Sequence, residues 1–473
     1  MPSYATAGAQ PTFAHLLHSF AQGTGLPFAD VLSADLIQQA CDAEGVHFGQ
    51  GADDVYSPAV TLWAFLSQCL SGCKSCVAAV ARVLVLRAGL GLEPCAAATG
   101  GYCKARAKLP EGLLRRLTLE AGTRVEDQAP DGWRCHGRRV LLVDGCEVSL
   151  PDTEANQRAY PQSAAQRPGL GFPQIRLVVL LTFATAALVG AACGPRKGKQ
   201  TGEPALFRTL LGQLRQGDVV VADRYYCSYW MVALLLERQA DACFRLHQRR
   251  DYDFRRGERL GAGDHVVTWA KPERPEWMDE ATYARLPEEL TMREVLVVVA
   301  QRGYRPRHLV VATTLTDGAA FAKEDIADMY HRRWHVELDI RALKQTLKMD
   351  ILSCKTPEMV RKELWAHLLA YNLVRQVQAR AAAAAGVTPR QLSFAGAVQT
   401  LAAFRWLLLA AEGEWLERSV RALLLAVAAH RVGDRPGRVE PREVKRRPKP
   451  HKRLKKPRAQ RRAELLRAAA DSE

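Results

Sequence analysis

The sequence predicts an α/β protein whose core is a mixed sheet laid down in the order β-β-β-α-β-α-β, interrupted by an all-β insertion and flanked by helical regions at both ends. Three observations carry this prediction. Helical periodicity in the first 134 residues gives way near residue 135 to short continuous apolar runs of strand length. Helix-length segments separate the third, fourth and fifth of these runs, and helical periodicity returns at Glu324.

From Ser57 to Leu90 the runs PAVTLWAFLSQCL and CVAAVARVLVLRAGL read as two amphipathic helices joined by the short turn SGCKS. YCKAR, at Tyr102 to Arg106, precedes another short helix. The polar, Gly- and Pro-containing run from Ala121 to Arg134 reads as a linker, closing a helical N-terminal domain at 1–134. Next come the strands RRVLLVDG, IRLVVLLTFAT, AALVGAA, GDVVVADR and DACFRLH. EPALFRTLLGQL is a helix between the third and fourth, and SYWMVALLLERQ one between the fourth and fifth. By fold analogy this order is that of a ribonuclease-H-like α/β domain, assigned to 135–349, in which the first and fourth strands are parallel neighbours. From Gln248 to Asp317 strand-like pieces such as HVVTWA, REVLVVVAQR and HLVVATTL stand among Pro/Gly loops, an all-β insertion at 248–317. Helix resumes at Glu324 and runs through IADMYHRRWHVELDIRALKQTLK. Further helical patterns over Pro357 to Ala385 and Thr388 to Ala429 form a C-terminal region, 350–430, a candidate for dimerisation. The Pro-interrupted basic tail, 431–473, is expected to be disordered without a ligand.

At 473 residues the chain exceeds what one hydrophobic core usually organises. Its formal charge is +16, and 16 Lys/Arg against 4 Asp/Glu lie between Arg431 and Arg467, so most of the excess sits in the tail. Such a balance favours a polyanionic partner, nucleic acid or an anionic membrane. The start MPSYATAGAQPTF lacks a basic stretch followed by an apolar one, so no signal peptide is read and a cytoplasmic chain is expected. Leu177 to Cys193 carries no charge over a length near that of a short membrane span, but it contains Thr182 and Thr185 and follows a Pro/Gly-rich loop. Two buried strands of a hairpin fit it better, and no membrane partner is assigned. The twelve cysteines are expected to be reduced packing residues. Cys69, Cys73 and Cys76, in CLSGCKSC, are close enough for zinc but lack a second pair at the usual spacing.

Two acids follow strands. Asp144 ends VLLV and precedes Gly145, so its carboxylate is expected where the backbone turns sharply; Asp223 repeats the arrangement after VVVA. If the two strands are parallel neighbours the carboxylates meet, and like charges so close need a cation such as Mg²⁺, which takes one or two carboxylates plus water and phosphate oxygens. Aspartates that merely form turns after strands are the alternative for either residue alone. At about 100° per residue of ideal helix, Tyr330, Arg333, Glu337 and Lys344 fall on one polar arc about 60° wide. Met329, Val336, Ile340, Leu343 and Leu347 lie beside it, so the stripe borders the core. An ordinary i,i+4 pair of Arg333 with Glu337 on a solvated face is the competing reading.

The spacing Tyr330-x₂-Arg333-x₃-Glu337-x₆-Lys344 resembles the Tyr-Arg-Glu-Lys signature of a family of bacterial insertion-sequence DDE transposases. VDGCEVSLPDTEANQRAYPQ, GKQTGEPALFRTLL, GDVVVADRYYCSYW, AHLLAYNLVR, TLWAFLSQCLSGCKSC and YCKAR resemble that family's blocks, so the likeness covers most of the chain. The resemblance implies a transposase that binds terminal inverted repeats in double-stranded DNA, pairs two ends in a dimeric synaptic complex and moves its element to target DNA by cut and paste. It further implies Asp144, Asp223 and Glu337 as the catalytic acids, holding two Mg²⁺ ions with Mn²⁺ as a possible substitute. Arg333 and Lys344 would then hold backbone phosphates, Arg333 by bidentate hydrogen bonds and Lys344 as a point charge, with Tyr330 adding a hydrogen bond. The family's β insertion carries a tryptophan that stacks on a flipped base; Trp269 is the candidate, Trp277 competes, and an indole packed in a small β core is the alternative. Lys197 and Lys199, in the Gly-containing loop GPRKGKQTGE, are expected DNA contacts, an ordinary solvated loop being the alternative. The tail is expected to grip phosphates without reading sequence, and the N-terminal helices to bind the ends. A nuclease that cuts without joining, or a DNA-binding protein with a decayed centre, are the competing functions.

Overall fold

The computed structural model describes residues 34–49, 51, 54–89, 91–299, 307–410, 413–433 and 454–470. Five helices come first: α1 (Ala34–Ala43), α2 (Pro58–Leu70), α3 (Cys76–Gly89), α4 (Gly100–Lys108) and α5 (Glu111–Asp127). The start of α2 is set locally, because the Ser57 hydroxyl accepts the Val60 N–H and Pro58 occupies the first turn, where no N–H is needed. The expected linker from Ala121 is not one. Ala121 to Asp127 are the last two turns of α5, with Ala121, Gly122, Val125 and Glu126 buried. A side chain at Gly122 would overlap the Leu188 carbonyl, so glycine here permits a close helix-to-strand contact that resembles a loop signal in sequence.

The strands are β1 (Val140–Ser149), β2 (Gln174–Thr182), β3 (Leu188–Pro195), β4 (Val219–Ala222), β5 (Asp241–Arg245), β6 (Glu258–Gly261), β7 (Asp264–Ala270), β8 (Glu289–Val299) and β9 (Arg307–Thr313). They form one sheet in the order β3-β2-β1-β4-β5-β9-β8-β7-β6. The stretch from Leu177 to Cys193 is the antiparallel β2–β3 hairpin, and among the described residues no helix is long and apolar enough to cross a membrane. β1–β4 and β4–β5 are parallel, so the first and fourth strands are neighbours as expected. The insertion is not a separate β body. β9 pairs with β5, which continues the central sheet outward through β8, β7 and β6, and the segment also holds a short helix, Glu280–Arg285.

Alternate strand residues face opposite ways. Leu142, Val179 and Val221 pack into the core shared with α5 and with the helix Pro357–Ala384, whereas Leu141, Val178 and Val220 pack against the helices Glu203–Arg208 and Tyr229–Glu237. Pro357–Ala384 is buried along most of its 28 residues, so this part of the expected dimerisation region is core. Leu62, Phe65 and Leu66 of α2 join the same core, so the N-terminal helices pack directly on the sheet-bearing body. Asn372 ties three layers together: its Oδ1 accepts Leu188 N–H at 2.8 Å, and its Nδ2 donates to the Thr118 and Leu188 carbonyls at 2.9 Å. Within the tail, 434–453 lies outside the described residues, while Arg458–Ala470 is helical, contrary to the expectation of disorder throughout.

Candidate active site

Asp144 is not at the end of its strand. β1 continues to Ser149 because β2 keeps pairing with it, Asp144 opposite Val179 and Ser149 opposite Gln174. What ends near Asp144 is the parallel pairing with β4, whose last partners are Leu142 and Val221. Carrying that register two residues further sets Asp144 beside Asp223, at the edge where β4 leaves the sheet. Gly145 serves no sharp turn either. A Cβ there would overlap the Glu203 carboxyl, so the glycine admits Glu203, from the first turn of the helix Glu203–Arg208, into the site.

Each aspartate has one oxygen held by backbone. Asp144 Oδ1 accepts the Gly145 N–H and Asp223 Oδ1 the Tyr225 N–H, both at 2.8 Å. The Asp144 side chain is 22% exposed. Burial above all pushes its carboxyl up to about 6; the Gly145 N–H and Arg333 pull it down, and Glu203 and Asp223 raise it further. Glu203 is likewise raised, mainly by burial and then by Asp223 and Glu147, against the pull of Arg176 and a hydrogen bond from Tyr226. Three acids thus crowd one partly dry pocket, an arrangement that favours a bound cation.

The third expected acid comes from helix, though not from one unbroken helix. Lys323–His331 ends, and Trp334–Arg341 begins, around Arg332 and Arg333, where the N–H groups of Arg333, His335 and Val336 reach back three residues instead of four. A π turn, Ala342–Thr346, follows. At this break Arg332 bonds Asp328 and lies over the Phe183 ring, while Arg333 reaches the acids, so a segment whose periodicity alone reads as continuous changes course where two arginines meet residues distant in the chain. Arg333 spans the site: its Nη2 lies 2.9 Å from Glu337 Oε1 and its Nη1 4.0 Å from Asp144 Oδ2. Glu337 itself is 43% exposed. Under the tightened turn and the widened π turn Lys344 donates to the Glu147 carbonyl at 2.9 Å, on β1 three residues past Asp144. Tyr330 is buried, and that burial pushes its hydroxyl up to about 12.

Trp269 is not available for base stacking here. It is 2% exposed, its indole N–H donates to Glu294 Oε1 at 3.1 Å, and Arg250 covers its ring at 3.8 Å. Alternation along β7 turns it inward, so the packed-indole alternative holds. Trp277 is partly covered by Arg208, also at 3.8 Å. Lys197 and Lys199 are exposed on the loop between β3 and Glu203, with Lys199 3.8 Å from the exposed Glu276; the structure does not bring them to the acids. Cys69 meets His367 at 3.5 Å while Cys73 meets Ser75 at 3.3 Å, so the three N-terminal cysteines do not converge, and all twelve cysteines are free.

Residues 136–373, half of the chain, match the family described as the transposase DDE domain. The chain belongs to that family. It is 30% identical over 357 residues to the transposase InsG for insertion sequence element IS4 of Escherichia coli (strain K12), covering 74% of this chain and 77% of that protein. A shorter segment of 78 residues is 40% identical to a probable transposase for IS5377 of Geobacillus stearothermophilus, covering 16% of this chain and 20% of that one. A solved piggyBac transposase synaptic complex with hairpin DNA overlaps 91% of this chain and 88% of its own, at 10% identity and a TM-score of 0.40. The transposase is thus a metal-dependent, DNA-cleaving enzyme of insertion-sequence type.

Two parts of this acid cluster escaped the sequence reading. Glu203 lies in GKQTGEP, where only the adjacent Gly145 could have hinted at a close approach, and that glycine reads equally as a turn. The other is the anchor behind Glu337. Asp339, two residues on, points into the core and is bonded by Arg375 at 2.6 Å and Arg390 at 3.1 Å, while Arg390 also donates to the carbonyls of Thr182 and Phe183. This buried pair of arginines fixes the helix that presents Glu337.

Proposed function

We propose that Asp144, Asp223 and Glu337 hold two Mg²⁺ ions, Mn²⁺ substituting, and that the transposase uses them to cut at the terminal inverted repeats of an insertion sequence and to join the freed 3′-hydroxyls to target DNA. The observation that carries this reading is the meeting of Asp144 and Asp223 at the open end of the parallel β1–β4 pair, with Arg333 reaching from Asp144 to Glu337. The donor set suits the ions: carboxylates only, one of them largely buried and held above the usual carboxylate range chiefly by that burial, with Glu203 and Asp223 adding to it. When bound, paired divalent ions supply Lewis-acid stabilisation of the attacking and leaving oxygens of an in-line displacement at phosphorus.

The chain's own side chains do the rest. The backbone N–H groups of Gly145 and Tyr225 hold one oxygen of each aspartate and leave the other directed at the pocket. Arg333 neutralises Glu337 and Asp144 while the site awaits DNA; on binding it exchanges those partners for a backbone phosphate, for which its planar fork is suited. Lys344, steered by the π turn to the rim of β1, adds a second phosphate contact, and the Tyr330 hydroxyl, kept protonated by burial, a third. The ribonuclease-H-like reading of the domain, DNA ends paired by a homodimer, and phosphate contacts from Lys197, Lys199 and the tail belong to the same proposal.

The test is Mg²⁺-dependent cleavage of end DNA by Asp144→Asn, Asp223→Asn and Glu337→Gln. Each abolishes cleavage and leaves end binding largely intact. Full cleavage by any one of them removes that residue from the metal site.

A further inference from the structure

We infer that Cys135, His136, Asp325 and Asp328 form a zinc site, separate from the cleavage centre, that staples the root of β1 to the helix Lys323–His331. Cys135 and His136 open the tight turn before β1, closed by the bridge from Cys135 to Arg138, with His136 and Gly137 both at positive φ, 50° and 70°. That turn throws the His136 imidazole toward the first turns of Lys323–His331. The Cys135 sulfur, a His136 ring nitrogen and an Asp328 carboxylate oxygen all lie within 4.8 Å of one another. His136 Nε2 is also 3.6 Å from Asp325 Oδ1.

Each carboxylate has one oxygen held by a partner. The two bonds from Arg332 fall on the same Asp328 oxygen, Oδ2, and leave Oδ1 without a hydrogen bond. Asp325 Oδ2 accepts the Ala322 N–H, which turns its Oδ1 toward His136. An outer partner that holds one oxygen while the other faces inward is the usual support of a metal ligand. Tetrahedral zinc, with Zn–S of about 2.3 Å and Zn–N and Zn–O of roughly 2.0–2.2 Å, places its ligand atoms some ~3.5 Å apart, so the Cys135, His136 and Asp328 atoms close on it with shifts of about an ångström, and Asp325, outside that group, turns in from its place beside His136 as the fourth ligand.

The chemistry selects the ion. A thiolate and an imidazole beside carboxylates suit zinc, whereas Mg²⁺ takes oxygen ligands. On binding, the Cys135 thiol gives its proton to solvent and the sulfur bonds to the metal. The ligands then carry three negative charges against the two of the ion and the one of Arg332. The consequence is positional. β1 carries Asp144, and Lys323–His331 leads into Arg333 and Glu337, so zinc would cross-link the elements that present two of the three proposed catalytic acids.

The full-length, tag-free protein is loaded with zinc, passed into metal-free buffer and assayed for bound metal by mass spectrometry; in parallel, cobalt(II) is titrated and its absorption recorded. The wild type and the Asp144→Asn/Glu337→Gln double variant should each retain one zinc per chain, and cobalt should show sulfur-to-metal charge transfer. Cys135→Ser and His136→Ala should lose both signals, and zinc should raise the melting temperature of the wild type only. His136 is partly exposed on a turn, so its variant is a test that does not depend on replacing a buried thiol. Equal zinc retention by wild type and His136→Ala, or cobalt binding without the thiolate band, overturns the proposal. Zinc lost from the double variant but kept by His136→Ala would place the ion at the cleavage centre instead.

Discussion

Removing the charge of Asp144 should stabilise the metal-free protein while destroying its metal-dependent function. The carboxyl is raised from 3.8 to about 6, chiefly by burial. A group whose folded pKa lies above its unfolded value adds stability below the unfolded pKa and loses it as pH rises through the folded one, so the wild type weakens between about pH 4 and pH 6. At about 1.4 kcal/mol per unit, and discounted for residual exposure, the cost above pH 7 is about 2–3 kcal/mol. Asp144→Asn removes the charge and keeps an Oδ1 that can accept the Gly145 N–H. Urea unfolding in chelator at pH 7.5 should therefore show the variant more stable by about 2–3 kcal/mol, a gap that closes toward pH 4. Mg²⁺ at about one thousand times its Kd should reverse the order, because it then adds about 4.1 kcal/mol to the form that binds it. A variant less stable than wild type in chelator at pH 7.5, or a gap independent of pH, refutes the reasoning.

Glu203→Gln should raise the Mg²⁺ concentration needed for half-maximal cleavage about tenfold, with little change in DNA affinity, if Glu203 supports the acids it packs beside; an unchanged metal dependence would make it a packing residue. Asp339→Asn leaves the charges of Arg375 and Arg390 without their buried partner and should cost about 3–5 kcal/mol in denaturant unfolding, with faster amide exchange over 334–341; exchange no faster there than in the rest of the chain would detach Asp339 from the positioning of Glu337. Truncation should follow Gly433 rather than Ala429, because Val432 N–H bonds Gln391 and Ser393 N–H bonds His430. The shortened chain should bind all DNA more weakly and lose about 0.9 from its salt slope per phosphate contact removed; a loss confined to terminal repeats would make the tail a reader of sequence.

Local signals carried far. The alternation of apolar runs, the Ser57 cap, the acids after VLLV and VVVA and the Tyr-Arg-Glu-Lys spacing are each written within a few residues; they were enough to place the strands along the chain and, by resemblance, the transposase family, while the parallel β1–β4 pair came by fold analogy. What they could not supply depends on partners distant in the chain. Gly122 and Gly145 look like loop punctuation, yet they are contact points for Leu188 and Glu203, because a missing Cβ permits close approach as readily as it permits a turn. Trp269 could stack on a base or pack in a β core as far as its own segment tells, and the contacts from β8 and Arg250 are what bury it. One continuous helix reads out of residues 324–348, but it is interrupted around Arg332 and Arg333, whose side chains lie against Phe183 and Asp144, distant in the chain. The sequence by itself determined which acids and cations the protein owns and on which elements they ride. Only the tertiary structure decided that Glu203 stands among them, that Asp339 anchors the helix of Glu337 and that Cys135 meets Asp328, since each is a contact between segments whose separation no local pattern encodes.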